Sequence, residues 1–306
     1  MRVLITGWPS FLHGEATAGD VAAMERVAAE LAAAHVPYDT AWSPGFAPDA
    51  LSLDEASAQD YTDVVFVCGP AHGEQVRQLH QRYARCRRLA IDVSIVDRGD
   101  PAVTGFHTVF ARDEPGATPS RDIALGNAAS RAPVVGVILA PEQPEYSDRR
   151  LHGHVHECLG AWLARLDCAP LPLDTRLDTR DWWLCSTPDQ FSALIARTDV
   201  VVTSRMHGLV FALRQGIPAL AVDPVSGGGK VTAQAQAWDW PAIMPAETLA
   251  GGEEAARPQL DRWWSWCLSA EARALADSRS GTGADSSAAA LSALVEQLCH
   301  APITSA

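Results

Sequence analysis

The segment 199–231, DVVVTSRMHGLVFALRQGIPALAVDPVSGGGKV, constrains the fold more than any other stretch of the chain. An apolar run over 199–204 breaks into a turn and then into a helical run over 206–215. Gly216 and Pro218 are stop signals for that helix, and 217–222 is a second apolar run. Two such strands joined through one helix pair in parallel by a right-handed crossover. Strands that are apolar throughout, rather than alternating, belong to sheets covered by helices on both faces.

The same rhythm occupies most of the chain. Residues 3–6 predict an opening strand. A helix over 20–34 follows, with Val21, Met24, Val27, Ala28 and Leu31 on one face and Asp20 as N-cap. The run 64–68, closed by Gly69-Pro70, predicts a buried strand, and 88–93 and 107–111 predict two more. Residues 133–140 (PVVGVILA) open a second series, followed by a helix over 148–166. With 306 residues and 47% hydrophobic composition, the chain can fill about two cores. The expected fold class is α/β: two doubly wound, Rossmann-like domains facing across a cleft. They span 1–130 and 131–277, with the boundary near 128–131. The small polar stretch 278–287 reads as a linker, and 288–299 as a last helix.

The formal net charge of −13 argues against non-specific nucleic-acid binding, which needs basic stripes over phosphates. A local cationic cluster can still hold an anionic substrate. Seven cysteines at wide spacings, with no CxxC, read as reduced thiols rather than a disulfide or metal framework. No run reaches the ~18 apolar residues of a membrane span, and no signal peptide opens the chain. A cytoplasmic protein is expected, with self-association left open by the sequence.

Arg205 and His207 fall where a strand's carboxyl end becomes a helix's first turn. Ligands of open α/β sheets bind at that edge, and the free N–H groups of a helix start favour an anion. Arg205 offers a planar fork for a carboxylate or phosphate. His207 can donate a hydrogen bond or move a proton near neutral pH. Ser204 and Gly208 flank the pair as expected substrate contacts, Gly208 by permitting close approach. Gly227-Gly228-Gly229 makes a pliable loop that delivers the ammonium of Lys230 to the same anion.

This segment resembles the C-terminal signature of polysaccharide pyruvyl transferases. In that signature an Arg-Leu-His follows an apolar strand, then come a helix, a Gly-x-Pro turn, a strand and a lysine-bearing loop. Here these are Arg205-Met206-His207, Gly216-Ile217-Pro218 and Lys230. Three earlier stretches are similar in place. GEATAGD (14–20), ending in Asp20, stands for the family's glycine- and Asp-bearing loop, without its Asn and with Glu15-Ala16-Thr17-Ala18 inserted. DVVFVCGP (63–70) carries the glycine turn at Gly69, and VFARDE (109–114) carries Arg112. The resemblance implies a fold similar to GT-B glycosyltransferases. It also implies transfer of a pyruvyl group from phosphoenolpyruvate to a sugar as a ketal. By that resemblance the second domain takes the donor and the first the acceptor. Arg205 and His207 match the donor-binding pair, Arg112 and Lys230 add contacts to the anion, and Asp20 and Gly69 lie among the substrate-binding positions. No cofactor is implied beyond the donor substrate itself, and the partners are that small molecule and a sugar acceptor.

Other signals read more plainly. His152, His154 and His156 lack a supporting carboxylate pattern and read as solvated helix surface, not a metal site. Ten tryptophans, among them Trp182-Trp183 and Trp263, Trp264 and Trp266, read as packing, with sugar stacking the alternative for one or two. The run 82–88 (RYARCRR) reads as a solvated helix face. Glu142 and Glu145, in the loop after 134–140, are candidate contacts to acceptor hydroxyls. Neither GxSxG nor a P-loop pattern occurs. Two other readings stand beside the first. One is a GT-B enzyme using a nucleotide-sugar, for which the ribose-binding Glu would fall at Phe211. The other is a non-catalytic anion-binding descendant.

Overall fold

The computed structural model describes residues 1–12, 14–126, 132–280 and 283–300. The chain divides into two compact units, Met1–Ser130 and Arg131–Ala306. The predicted boundary at 128–131 lies outside the described residues, and so does position 127.

The first unit runs β1 (Val3–Gly7), α1 (Ala18–Ala33), β2 (Tyr38–Thr40), β3 (Asp63–Val67), α2 (Glu74–Arg82), β4 (Arg87–Ser94), α3 (Pro101–Thr104) and β5 (Thr108–Asp113). Its five strands pair in parallel in the order β2-β1-β3-β4-β5. Side chains alternate across each strand, so neighbouring residues serve opposite faces. Leu4, Val64 and Phe66 pack with Val76 and Leu79 of α2. Ile5 and Val67 pack with Ala23 and Met24 of α1.

α1 begins earlier than the sequence predicts. Thr17, not Asp20, is its N-cap. The Thr17 hydroxyl accepts the Asp20 N–H at 3.2 Å and donates to the Asp20 carboxylate at 2.6 Å. Asp20 therefore completes the cap from the third helical position. The run 82–88 is likewise not one helix face. It spans the end of α2, a turn and the start of β4, and Arg88 donates to the carbonyls of Tyr83, Ala84, Cys86 and Gly105.

The second unit opens with β6 (Val134–Ile138), α4 (His152–Leu163), β7 (Ala169–Pro172), α5 (Pro188–Ile195), β8 (Val200–Thr203), α6 (Met206–Arg214) and β9 (Ala219–Asp223). It continues with α7 (Lys230–Ala237), β10 (Ile243–Pro245), α8 (Glu253–Cys267), α9 (Ala270–Ser280) and α10 (Gly283–His300). The parallel order is β10-β9-β8-β6-β7, the topology of the first unit repeated. Both units are thus doubly wound, as expected. In each, the chain leaves the first strand outward on one side and then returns to its other side. The topological switch of the second unit therefore lies between β6 and β8.

β2, β7 and β10 are edge strands of three or four residues. Proline is tolerated at such edges, and runs this short carry little periodic signal. The expected linker 278–287 is helical on either side of 281–282: α9 continues through Ser280 and α10 starts at Gly283. Among the described residues, no helix is long and apolar enough to cross a membrane. All seven cysteines are free thiols.

Candidate functional site

The carboxyl ends of β6, β8 and β9 lie side by side at a strand spacing of about 4.8 Å. The loops that leave them are therefore neighbours. The β8 loop is anchored from below. Ser204 is only 1% exposed, and its Oγ accepts the Ala140 N–H at 2.9 Å. Nε2 of His156, on α4, lies 2.9 Å from the same oxygen. Thr203 Oγ1 donates to the Ile138 carbonyl at 2.8 Å and accepts the Arg205 N–H at 2.9 Å. A Cβ on Gly208 would stand 2.3 Å from Thr203 Oγ1, so this buried glycine lets α6 settle on β8. Ser204 and Gly208, expected to touch substrate, are both buried and help to lock the switch point.

Arg205 is the N-cap residue of α6, with extended backbone and no side-chain cap. Thr17, Asp100 and Thr187 cap α1, α3 and α5 with side-chain oxygens, whereas α6, like α2, α4 and α8, has none. The start of α6 thus presents backbone donors and the positive end of the helix dipole without a side-chain acceptor. Nη1 of Arg205 bonds Oδ1 of Asp174, which follows β7, at 2.9 Å, leaving the remaining guanidinium donors unspent. His207 is exposed in the first turn of the same helix.

The start of α7 is built in the opposite sense. Asp223 is fully buried at the end of β9. Its carboxylate accepts the N–H groups of Gly229 at 2.7 Å, Thr232 at 2.8 Å and Val225 at 3.0 Å. A carboxylate already fills this helix start, so its backbone donors are not open to an anion. Lys230 Nζ lies 3.7 Å from Glu145 and 5.9 Å from the Tyr146 ring centre, both in the β6 loop. Glu142 in that loop accepts Arg150 Nη1 at 3.0 Å. Glu247 accepts the Ser226 hydroxyl and the Gly227 N–H, each at 2.7 Å, and these bonds hold its carboxyl below the ordinary range. Lys230 and Glu142 are therefore both at this edge, each restrained by an opposite charge.

The histidines of α4 are not solvated surface. The helix starts only at His152, because 144–149 form a 3₁₀ turn and Arg150 bridges to Val225 beside β9. His152 is 1% exposed with both ring nitrogens unpaired, and burial pushes its pKa down. Burial also lowers His156, while His154 bonds the Leu249 carbonyl at 2.6 Å. The rings of His152 and His156 lie 6.2 Å apart, and among the described residues no metal-ligating group of three includes these histidines.

The expected residues of the first unit have other engagements. Arg112 donates to Asp113 at 2.9 Å, Asp122 at 2.8 Å and Ser94 at 2.8 Å, and lies 3.8 Å from Asp92. Burial opposes its charge, but bonding to Asp113 and the charges around it outweigh that. Its fork is spent on its own unit's acids, which argues against the expected role as an anion contact. Cys68, Asp92 and Asp122 have metal-like spacing, but the Arg112 guanidinium stands against all three. Burial and the charge of Asp122 raise Asp92 to about 6, and burial pushes Cys68 up to about 12. Gly69, with φ of +69°, lies against Trp8, whose indole would be 2.2 Å from an added Cβ. Asp20 is occupied in the cap of α1. Sequence reasoning missed Asp174, Asp223 and Glu247, and it took His156 for solvated helix surface. Asp223 alone carried a local signal, as an acid ending an apolar strand just before a glycine loop.

Residues 174–226 match the family model of polysaccharide pyruvyl transferase. The matched span runs from Asp174 through Arg205, His207 and Asp223. No curated protein matches the chain. Among solved structures, a spinosyn rhamnosyltransferase, SpnG, complexed with thymidine diphosphate is similar at 14% identity and TM-score 0.34, over 92% of this chain and 95% of that one. E. coli heptosyltransferase WaaC with ADP is similar at 13% identity and TM-score 0.29, over 88% and 99%. The glycotransferase of kitacinnamycin is similar at 12% and 0.32, over 91% and 94%. Likeness at this level carries no argument, and the fold rests on the two sheets themselves.

Proposed function

We propose that this protein transfers a pyruvyl group from phosphoenolpyruvate to a sugar, closing a cyclic ketal on two of its hydroxyls. The observation that carries this reading is the coincidence of two independent features. The family match covers the β8–α6 turn, and that turn has an uncapped helix start flanked by Arg205 and His207. The donor carries up to three negative charges, which suits backbone donors, a guanidinium and an ammonium carried by neighbouring loops.

The proposed chemistry follows from those groups. Arg205 and the first-turn N–H groups of α6 hold the anionic oxygens. The His207 imidazolium protonates the methylene carbon of the enol, which becomes the methyl group, and positive charge develops at the central carbon. One sugar hydroxyl adds there and its proton restores His207. The second hydroxyl then displaces phosphate, whose departing oxygen takes that proton. Lys230 neutralises charge on the leaving phosphate. Glu142 and Glu145 orient acceptor hydroxyls, and the first unit is the proposed acceptor domain. The donor is consumed, so the reaction calls on no resident cofactor.

A nucleotide-sugar donor is disfavoured by Phe211. Its ring packs edge-to-face on Phe191 with centroids 5.2 Å apart, where ribose binding would need a carboxylate. The test is phosphate release from phosphoenolpyruvate in the presence of a sugar panel, together with calorimetric titration of phosphoenolpyruvate and of nucleotide-sugars. Binding and release with phosphoenolpyruvate are expected. Nucleotide-sugar binding without phosphoenolpyruvate binding overturns the reading.

A further inference from the structure

The segment between β7 and α5 carries a feature that packing does not explain. Trp182 and Trp183 are 82% and 77% exposed, against the expectation that such residues pack inside. Their rings stack on each other with centroids 4.3 Å apart and planes 26° apart. An indole buries 150–250 Å² when it packs, so leaving two adjacent ones in water forgoes a large apolar gain.

The segment that displays them is closed on itself. Asp178 N–H bonds the Cys185 carbonyl at 3.0 Å, and the Ser186 hydroxyl bonds the Asp178 carbonyl at 3.3 Å. Asp178 and Asp181 each accept a backbone N–H two residues on, at 2.8 and 3.0 Å. The rings are therefore held out by an ordered turn. Beside them is an open cavity of about 410 Å³, bordered by both tryptophans, Leu184, Gln190, Leu194 and Arg197. Gln190 spends its carbonyl oxygen on the Ser186 N–H, which leaves its amide donors unspent. Arg197 spends one Nη1 bond on the Ala193 carbonyl.

We propose that this surface is a carbohydrate-binding platform: a sugar ring stacks on an outer face of the Trp182–Trp183 pair, and its hydroxyls take hydrogen bonds from Gln190 and Arg197. A stacked indole pair with exposed outer faces, next to a polar-edged cavity of sugar size, suits a pyranose, whose C–H faces are apolar and whose rim is polar. A protein partner would favour a knob inserted in a closed apolar pocket, and here the cavity is open and rimmed by donors. The same segment supplies Asp174, which holds Arg205, so a bound glycan would sit on the structure that aims the guanidinium. The glycan's purpose, as the body of the acceptor, rests on the proposed function; its binding does not.

The test is direct binding to the full chain, by calorimetry, of a panel of neutral and uronic-acid oligosaccharides of four to six residues. Phosphoenolpyruvate is titrated separately. Both tryptophans are exposed, so Trp182→Ala/Trp183→Ala should keep the circular dichroism and melting temperature of the parent. The expected result is saccharide binding by the parent that falls about tenfold or more in the double variant, with phosphoenolpyruvate binding retained. Partial recovery is expected in Trp182→Phe/Trp183→Phe. No binding across the panel, or equal binding by the double variant, overturns the platform. Trp-dependent sedimentation with anionic phospholipid vesicles, without saccharide binding, overturns it in favour of a membrane surface. Saccharide binding without phosphoenolpyruvate binding leaves the platform standing and removes the pyruvyl-transfer reading.

Discussion

Nη1 of Arg205 and Oδ1 of Asp174 meet at 2.9 Å, a contact that joins the segment after β7 to the start of α6. The acid orients the guanidinium before any ligand arrives and leaves its other donors unspent. Arg205→Lys keeps the charge and loses the fork. Phosphoenolpyruvate affinity should fall about tenfold or more, as expected for a lost charge-assisted bond. The melting temperature should move by less than about 4 °C, because a partly exposed ion pair contributes little. Calorimetric titration and a thermal melt check both outcomes.

Asp223 should matter to stability more than any residue that faces a ligand. Its buried carboxylate satisfies three backbone N–H groups. Asp223→Ala strands them and should cost about 2–4 kcal/mol in a urea melt of the second unit. Lys230 would lose its fixed origin, so donor affinity should fall as well.

Gly208→Ala tests how tightly α6 sits on β8. The new methyl would lie 2.3 Å from Thr203 Oγ1 and 3.3 Å from Ile138 Cβ. Overpacking of this kind costs about 1–3 kcal/mol. The double variant with Thr203→Ala should cost less than the sum of the two singles, because both changes act on one contact. Chemical denaturation of the four proteins measures the coupling.

His152 gives a pH signature. Burial lowers its folded pKa, so stability from the neutral ring is present above the unfolded value of about 6.5. That stability is lost as pH falls from there through the depressed folded value. His152→Leu replaces an unpaired buried ring with an apolar side chain. It should match or exceed the parent at pH 8, and its advantage should widen toward pH 5.5. An advantage that stays constant between the two pH values would show that His152 has the same pKa folded and unfolded, so that burial does not depress it.

The candidate site was legible where chemistry and topology share a short stretch. Arg205 and His207 could be placed at a helix start because strand, turn, helix and stop signals all lie within 199–222. The ion pairs that spend Arg112 were not legible, since Asp92, Asp113 and Asp122 gather around it only when β4 and β5 pair and the following turn folds back. The α4 histidines misled for a related reason: periodicity gives a helix face, while burial depends on what covers it. The segment at Arg149–Leu151, just before His152, is tied to the β9 loop by backbone pairing that no local pattern announces.

The amino-acid sequence by itself determined the α/β class, the parallel crossovers and the placing of Arg205 and His207 at the β8–α6 turn, because apolar runs and stop signals act over a few residues. The tertiary structure decided which helix start stays open to an anion and which is filled, as Asp223 fills α7. It also decided that Ser204 and Gly208 serve packing and that Trp182 and Trp183 remain in solvent. Burial and hydrogen-bond partnership are set by residues distant in the chain, and no local pattern encodes them.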